Sequence, residues 1–318
     1  MQPTGELHIG NLEAALKNWT RLQNDYEMYC CIVDWHSLTA DFENTAVLKE
    51  RIFQVAVDYM AAGLDPEKCA IFIQSDVKEH AELHLIFSML ITVPTLTRLP
   101  TYLEKREEKS LDSYGFLGYP VLQAADICVY NAHKVPVGKD QEKHIWLAAD
   151  VAKRFNSIYG DTFNEPQILL TPVPVIPGMD GRKMSKSYGN HITIADTEQE
   201  TTARVKKYFT DPQKLRKGDP GRPEICPVYE LHKIYTPDYE KIIAPPCRSG
   251  ELGCVDCKSK LAGNLNAALA PIREKRVVIC SNKDYVWDVL KNGAVRARAR
   301  ASEVMARVRS AMKMDYYR

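Results

Sequence analysis

Hydrophobic residues along the chain form short continuous runs that alternate with longer stretches in which apolar positions recur every three or four residues. The short runs are bounded by polar or turn residues and predict strands at 28–33, 70–74 and 168–175. The periodic stretches predict helices at 12–22, 45–60, 82–91, 120–130 and 143–159. Because strands that alternate with helices form parallel sheets covered by helices, the predicted fold class is α/β.

The pattern changes between Tyr188 and Gly253, where polar, charged and proline-containing sequence interrupts the alternation. Asp211-Pro212 and Gly218-Asp219-Pro220 indicate breaks in regular structure, with helical segments after them. A second domain is therefore predicted there. A last helix is predicted over 294–314, with arginines around most of it and one apolar face formed by Ala301, Val304, Met305, Val308 and Met312.

The composition is that of an ordinary globular protein, with 45% hydrophobic and 26% charged residues among 318. Since the formal net charge is only +1, any nucleic-acid contact must come from local basic patches. No apolar run approaches the ~18 residues of a membrane span, and the first residues do not resemble a secretory signal. A cytoplasmic location without membrane contact is therefore expected.

Two segments carry candidate phosphate chemistry. A turn rich in proline and glycine at the start delivers His8 and Asn11 to a predicted helix N-terminus, where backbone N–H groups attract phosphate. Gly10 leaves room for a flat adenine against the backbone, although His8 is equally well explained as a capping residue. Far downstream, Lys183 and Lys186 lie in a Gly/Ser-containing loop, which suits a charged phosphate but by itself indicates only a solvated loop.

Together, Pro-Thr-Gly-x-Leu-His-Ile-Gly-Asn and Lys-Met-Ser-Lys-Ser resemble the two signature motifs of class I aminoacyl-tRNA synthetases. The resemblance covers essentially the whole chain and implies a Rossmann-type catalytic domain at 1–188, a smaller helical anticodon-binding domain at 189–293 and a basic C-terminal helix at 294–318. It implies that ATP is held with Mg²⁺. The residues implied at that site are Gln2, Thr4, His8, Gly10, Asn11, Gly138, Asp140, Gln141, Lys183, Met184, Ser185 and Lys186. The expected reaction is in-line attack of an amino-acid carboxylate on the α-phosphate, which requires no protein nucleophile.

One carboxylate stands out in the predicted helix around 119–127. Asp126 lies beside apolar positions, where an unpaired carboxylate is costly, so a partner is expected unless Asp126 is a surface acid. The segment resembles the tryptophan-binding helix of bacterial tryptophanyl-tRNA synthetases, which implies that Asp126 accepts the indole N–H. By the same resemblance the site includes Tyr119, Gln123, His36 and Gln141, whereas Lys139 replaces an expected acidic residue. The remaining histidines considered are predicted to be structural or surface residues: His80, His84, His133 and His144.

The resemblance implies L-tryptophan, ATP and tRNA(Trp) as partners, and an apolar segment at 83–96 predicts a homodimer. The alternatives are a tyrosyl-tRNA synthetase, whose pocket around the substrate is expected to differ, and a non-catalytic nucleotide- and RNA-binding paralogue. The intact pair Lys183 and Lys186 argues against the paralogue. Charge runs are usually solvated surfaces, but because an RNA partner is already implied, we expect some of the basic residues to meet tRNA phosphates. The candidates are Arg204, Lys206, Lys207, Lys214, Arg216, Lys217, Arg296, Arg298, Arg300, Arg307 and Arg309.

Family members have an apolar strand before Gln-Pro-Thr-Gly, whereas this chain begins at Met1. We therefore expect that the native protein is several residues longer and that this form lacks the first strand of the sheet. Poor activity of this form is the corresponding expectation.

Four of the nine cysteines follow the pattern C-x20-C-x6-C-x2-C; they are Cys226, Cys247, Cys254 and Cys257. Because three of them lie among Pro, Arg, Gly and Asp rather than at apolar positions, they predict a metal site. A zinc site normally offers two close pairs, and here only the last two cysteines form one. The spacing resembles that of bacterial tryptophanyl-tRNA synthetases with a 4Fe-4S cluster, which implies such a cluster with a structural and tRNA-docking role; zinc and unmetallated thiols are the alternatives.

Overall fold

The computed structural model of the chain describes residues 1–100, 102–103, 106, 112–170 and 175–317, with only the backbone at 140. Within these ranges no helix is both long and apolar enough to cross a membrane.

Two pairs of parallel strands form the sheets. The first pair is β1 (Met28–Ile32) and β2 (Cys69–Ile73), in the register Met28↔Cys69. The second pair is β3 (Lys134–Val137) and β4 (Gln167–Leu170), in the register Lys134↔Gln167. Parallel strands connected by helices confirm the predicted α/β class.

Helices occupy the connections between the strands. They are α1 (Ile9–Asn11), α2 (Lys17–Leu22), α3 (Asp34–Asp41), α4 (Leu48–Ala61), α5 (Glu79–Ser88), α6 (Val93–Thr97), α7 (Tyr114–Cys128) and α8 (Glu142–Tyr159). A π-helical segment, Leu12–Leu16, joins α1 to α2. Such wider turns are rare and occur mostly near functional sites, and this one directly follows the first candidate motif.

The sequence pattern did not predict β3. Its four residues contain Pro136 and are exposed or half-buried, so the strand carries neither a continuous apolar run nor a clear alternation. The strand predicted at 168–175 corresponds to β4, and its remainder at 171–174 lies outside the described residues.

The backbone of Met1 lies alongside β1. Its nitrogen donates to the carbonyl oxygen of Cys31 at 2.8 Å, and its carbonyl oxygen accepts from the N–H of Val33 at 3.0 Å. This is the hydrogen-bond pattern of a parallel pairing with Ile32. Residues 2–5 consequently start from the carboxyl end of β1.

The second part of the chain is helical, as predicted. It contains α9 (Glu198–Lys206), α10 (Pro227–Tyr235), α11 (Tyr239–Ile242), α12 (Ala244–Arg248), α13 (Cys254–Ser281) and α14 (Lys283–Ala311). The boundary predicted between 293 and 294 falls inside α14, which is one continuous helix from Lys283 onwards.

Two buried polar contacts connect the helical part to the first motif. Arg276 on α13 donates through Nε to Asp58 Oδ1 at 2.7 Å, and Asp58 Oδ2 accepts from the N–H of Leu7 at 2.8 Å. The Tyr235 hydroxyl donates to Glu13 Oε1 at 2.8 Å. Because Asp58 and Glu13 are both buried, their carboxylates require such partners, and Glu13 also pairs with Lys17 at 2.7 Å.

Helix α14 packs directly on β2. Its apolar face is buried, which confirms the predicted face at Ala301, Val304, Met305 and Val308. The closest approach is at Gly293, where an added Cβ would lie 1.9 Å from the carbonyl oxygen of Ile71. Only glycine therefore allows the helix backbone to lie this close to the strand.

Gly293→Ala is expected to destabilise the fold by at least about 3 kcal/mol, because α14 must move away from β2 to admit one methyl group. The measurement is the urea midpoint of unfolding. Gly263→Ala is the matched control, since an added Cβ on that α13 residue meets nothing within 4 Å. The control should stabilise by about 0.5–1 kcal/mol through helix propensity. Equal midpoints for the two variants would contradict the packing described for Gly293.

Candidate active site

The two candidate phosphate-binding segments lie side by side. The N–H of Ile9 donates to the carbonyl oxygen of Ile192 at 3.0 Å, and that of Ile194 donates to Leu7 at 2.9 Å. Lys186 reaches across, and its Nζ donates to the carbonyl oxygen of Gly5 at 2.7 Å. Segments separated by about 180 residues in sequence are thus joined into one site.

His8 caps helix α1. Its Nδ1 accepts from the N–H of Asn11 at 3.3 Å, while Asn11 Oδ1 accepts from the N–H of His8 at 3.1 Å. Burial, with smaller effects of Lys186 and His191, lowers the pKa of His8 to about 3, so the ring is neutral. With Nδ1 accepting, the ring proton sits on Nε2, which is a donor. The capping interpretation is correct, and it leaves His8 a hydrogen-bond donor as well.

Gly10 lies close against the same imidazole. A Cβ at this position would lie 2.8 Å from Nδ1 of His8. The glycine therefore permits the cap, in addition to the open backbone surface that the sequence predicts.

Asn190, which the sequence analysis did not single out, organises the lysine loop. Its Oδ1 accepts from the N–H of Ser185 at 2.8 Å, and its Nδ2 donates to Asp180 Oδ1 at 2.7 Å and to the carbonyl oxygen of Lys183 at 3.2 Å. Met184 is buried and anchors the loop between its two lysines. The loop is thus held at its backbone, while the Lys183 side chain is exposed.

The ammonium group of Lys186 is unusually easy to deprotonate. Burial lowers the pKa of Lys186 to about 8, although the carboxylates of Asp58 and Glu6 oppose this shift. A lysine in this state still carries its proton near neutral pH, and a bound polyanion would favour the charged form further.

Asp126 has three hydrogen-bond partners. Its Oδ2 lies 2.8 Å from His36 Nε2, and its Oδ1 lies 2.6 Å from both Gln74 Nε2 and His80 Nδ1. Burial alone would raise the pKa of the Asp126 carboxyl, but His36 and His80 outweigh it and hold the pKa well below its usual range. The expected partners exist, and the carboxylate is ionised.

These partners come from the carboxyl ends of adjacent strands. His36 follows β1, Gln74 follows β2, and α7 carries Asp126 over the same edge. Ligands of parallel α/β sheets bind at this edge. His80, predicted to be a structural or surface residue, is buried and hydrogen-bonded to Asp126. Gln74 is the last residue of the predicted strand 70–74, and that position at the carboxyl end of a strand was the signal that would have found it.

Aromatic rings enclose the neighbourhood of Asp126. Tyr119 is 6% exposed, and its ring centroid lies 6.5 Å from that of His36 and 5.6 Å from that of His144. Gln141 lies just before His144 at the start of α8, and its N–H donates to the carbonyl oxygen of Gly138 at 3.0 Å. Gln123 is half-buried on α7, Gln2 and Thr4 are exposed, and the predicted Asp140 side chain lies outside the described residues.

The four patterned cysteines line one narrow cavity of about 20 Å³, together with basic residues that include Lys214 and Arg222. Cys226 and Cys257 also pack against the hydrophobic core, which for Cys257 differs from the polar surroundings that the sequence indicates. In the described part of the chain, no three His, Cys, Asp or Glu side chains are close enough together to bind a single metal ion.

Several of the predicted tRNA-contacting residues bind the protein itself. Lys214 is 7% exposed and donates to the carbonyl oxygen of Cys247 at 3.3 Å. On α14, Arg298 donates to the carbonyl oxygen of Asp76 at 2.6 Å, and Arg309 pairs with Glu82. The contacts of Arg298 and Arg309 hold α14 against the segment after β2 and against α5. Lys206, Lys207 and Arg307 are exposed.

A capped helix N-terminus joined to a lysine loop at the carboxyl edge of parallel strands is the arrangement of a class I aminoacyl-tRNA synthetase. Residues 1–270 match the family described as tRNA synthetases class I (W and Y), and the chain belongs to this family.

Relatives that cover nearly the whole chain are named for tryptophan. The tryptophan–tRNA ligase of Thermotoga maritima is 46% identical over 99% of this chain and 98% of its own length. That of Aquifex aeolicus is 41% identical over the same shares. The crystal structure of tryptophanyl-tRNA synthetase from Campylobacter jejuni complexed with ADP and tryptophan superposes with a TM-score of 0.87, at 32% identity and 98% coverage of both chains.

Proposed function

We propose that this chain is a tryptophan–tRNA ligase, which activates L-tryptophan with ATP and transfers it to tRNA(Trp). The observation that carries the proposal is the ionised, largely buried Asp126 at the carboxyl edge of the sheet. A carboxylate that can only accept matches the single N–H donor of an indole in an otherwise apolar ring. The names of the relatives support the same substrate.

The first step follows from the positions of the donors. The Nε2–H of His8, the amide of Asn11, and the ammonium groups of Lys183 and Lys186 are the groups proposed to hold the ATP phosphates. Their charge stabilises the pyrophosphate that leaves as the amino-acid carboxylate attacks the α-phosphate. Magnesium is expected to arrive on the phosphates, since these groups donate hydrogen bonds and are not oxygen ligands for the ion. No residue of the chain needs to form a covalent bond.

Amino-acid selection is proposed to depend on Asp126, with Tyr119, Gln123, His36 and Gln141 around the substrate. A site built to accept a hydrogen bond rejects analogues without the donor by about 10⁴-fold, because the buried acceptor is then unpaired. Editing is unnecessary with such discrimination.

Pyrophosphate exchange driven by tryptophan, tyrosine or phenylalanine tests the proposal. Exchange with tryptophan alone is expected. Exchange driven by tyrosine would identify a tyrosyl-tRNA synthetase, and no exchange with any of the three would favour the non-catalytic paralogue.

Assembly as a homodimer is part of the proposal. Leu85, Met89 and Val93 are 58%, 68% and 59% exposed, so the segment that the sequence analysis singled out presents apolar side chains on the surface. Such a patch is typical of a protein interface. Sedimentation equilibrium should give twice the mass of the 36.1 kDa chain.

The helical part is proposed to read the anticodon and to carry a 4Fe-4S cluster on Cys226, Cys247, Cys254 and Cys257. Cys226 is the N-cap residue of α10, and Cys254 and Cys257 lie in the first turn of α13, so three of the four thiols lie at helix N-termini. In a cubane each thiolate binds a different iron, and the sulfurs are therefore farther apart than around one zinc ion. The four thiols line a common cavity, which supports a shared group bound by all four.

Binding a cluster requires some rearrangement. The cavity of about 20 Å³ is the size of a water molecule, so the thiol side chains must rotate outwards. Burial raises the pKa of Cys257 to about 12, so its thiol stays protonated until a cation binds, and binding releases protons.

Anaerobic purification is expected to yield a brown protein with broad absorbance near ~400 nm, as iron–sulfur thiolates show. Cys254→Ser should lower the iron content and weaken tRNA charging more than adenylate formation. Cys280→Ser is the control, because that half-buried cysteine lines a different groove, and it should keep its iron. A colourless protein with one equivalent of zinc would show instead that the site binds zinc.

A further inference from the structure

His80 is fully buried and has a polar partner at each ring nitrogen. Its Nδ1 lies 2.6 Å from Asp126 Oδ1, and its Nε2 lies 2.6 Å from the hydroxyl oxygen of Tyr130. The aromatic rings of His80 and Tyr130 are also in edge contact, with centroids 5.4 Å apart. The imidazole is therefore held between the candidate pocket and a tyrosine behind it.

The proton on Nδ1 of His80 follows from the charge of Asp126, and Tyr130 is the partner on the other side of the ring. An ionised Asp126 only accepts, so Nδ1 of His80 must donate to it. Burial raises the pKa of Tyr130 far above its usual value, so the hydroxyl keeps its proton and stays hydrogen-bonded to Nε2. The hydrogen bonds therefore connect Tyr130 through His80 to Asp126, with the Nδ1–H of His80 donating to the carboxylate.

These contacts make the two oxygens of Asp126 unequal. Oδ1 accepts from both His80 and Gln74, which uses its two lone pairs. Among the described residues, Oδ2 accepts only from His36, so one lone pair remains. The carboxylate side chain is 13% exposed, which leaves it accessible from the pocket.

The orientation of Gln74 is consistent with this assignment. Its Nε2 donates to Asp126, and its Oε1 is buried without a hydrogen-bond partner. A reversed amide would place two acceptors against each other, so the unpaired oxygen is the consequence of giving Asp126 a donor. The pocket thus leaves a buried acceptor unpaired while supplying Asp126 with a further donor.

We infer that His80 is a positioning residue for amino-acid recognition: its Nδ1–H, fixed by the Tyr130 hydroxyl, orients Asp126 so that Oδ2 presents its remaining lone pair to the indole N–H. This inference rests on the proposed function, in which Asp126 reads the indole. His80 itself does not touch the substrate. Its loss should therefore affect the use of the N–H and leave the ATP site unchanged.

A pair of substitutions at 80 separates orientation from packing. His80→Leu removes the donor at similar volume and is expected to lower kcat/KM for tryptophan about 10- to 100-fold, the loss typical of a hydrogen bond to a charged group. His80→Asn places an amide N–H where the Nδ1–H lies and should recover most of that loss. The KM for ATP should be unchanged in both variants.

A tryptophan analogue with sulfur in place of the indole N–H distinguishes a positioning role of His80 from a purely structural one. The analogue has no donor, so His80→Leu should hardly change its kcat/KM. The ratio of kcat/KM for tryptophan to kcat/KM for the analogue should therefore fall as kcat/KM for tryptophan falls. A general collapse of the pocket would lower both values and keep the ratio, and that result would overturn the inference.

Asp126→Asn, measured alongside, distinguishes the two levels of the proposal. If Asp126→Asn reduces the ratio and His80→Leu leaves it unchanged, His80 has no positioning role while the proposed function stands. If neither variant changes the ratio, the indole is not read by Asp126, and the proposed substrate recognition is itself wrong. A reduced ratio in both variants, with recovery in His80→Asn, is the expected result.

Discussion

Replacing Asp126 by asparagine is expected to lower kcat/KM for tryptophan activation by on the order of 10³-fold. His36, Gln74 and His80 all face this carboxylate at 2.6–2.8 Å, and an amide offers them one oxygen where they now share two. The amide nitrogen of the new side chain would also face one of these N–H donors, with which it cannot form a hydrogen bond. The buried donors and the indole N–H then compete for too few acceptors.

The measurement is pyrophosphate exchange at varied tryptophan and at varied ATP. The KM for ATP should change little, because the lysine loop and the His8 cap make no hydrogen bond to Asp126. Asp150→Asn, at an exposed position of α8, is the control for the lost charge. Unchanged discrimination between tryptophan and phenylalanine in Asp126→Asn would rule out its role in recognition.

Lys186→Met is expected to reduce the rate of adenylate formation by about 10²- to 10³-fold, the usual effect of removing one charge-stabilising donor. The variant also loses the contact from Nζ to the carbonyl oxygen of Gly5, so the two motif segments are no longer joined. Single-turnover formation of the adenylate measures the effect. Lys153→Met, on the exposed face of α8, should behave as the unmodified protein.

The same lysine predicts a pH dependence with a defined sign. Because burial lowers the pKa of Lys186 to about 8, the free protein loses this charge as the pH rises through 8, and kcat/KM for ATP should fall above that pH. Bound phosphates favour the ammonium form, so kcat should fall only at higher pH. Lys186→Arg should remove the decline below pH 10 because guanidinium stays protonated. A decline that persists in Lys186→Arg would assign it to another group.

Periodicity and local motifs were sufficient for the α/β class, the helical second part and the apolar face of α14. They were insufficient where contacts between residues distant in sequence determine the structure. The strand β3 is paired with β4 despite Pro136, and no local pattern indicates this. Similarly, α14 belongs to the sheet of the first part because Gly293 lies against Ile71, a contact between residues more than 200 positions apart.

The residues of the candidate site divide in the same way into those that local sequence predicted and those that it did not. His8 and Lys186 were recognisable from local motifs, and Asp126 was recognisable from the cost of burying an unpaired carboxylate. His80, Gln74 and Asn190 were not, since each acts through a partner that only the folded chain brings near it. The rule that ligands bind at the carboxyl ends of parallel strands would have indicated Gln74.

The position of α14 has a consequence for synthesis of the protein. The helix that covers β2 is translated more than 200 residues after it, so the strand leaves the ribosome long before its partner helix exists. Until then Ile71 and Phe72, both fully buried in the folded chain, lack their cover. The nascent chain therefore exposes an apolar strand until α14 has been made, and it is in this interval that chaperones would bind it.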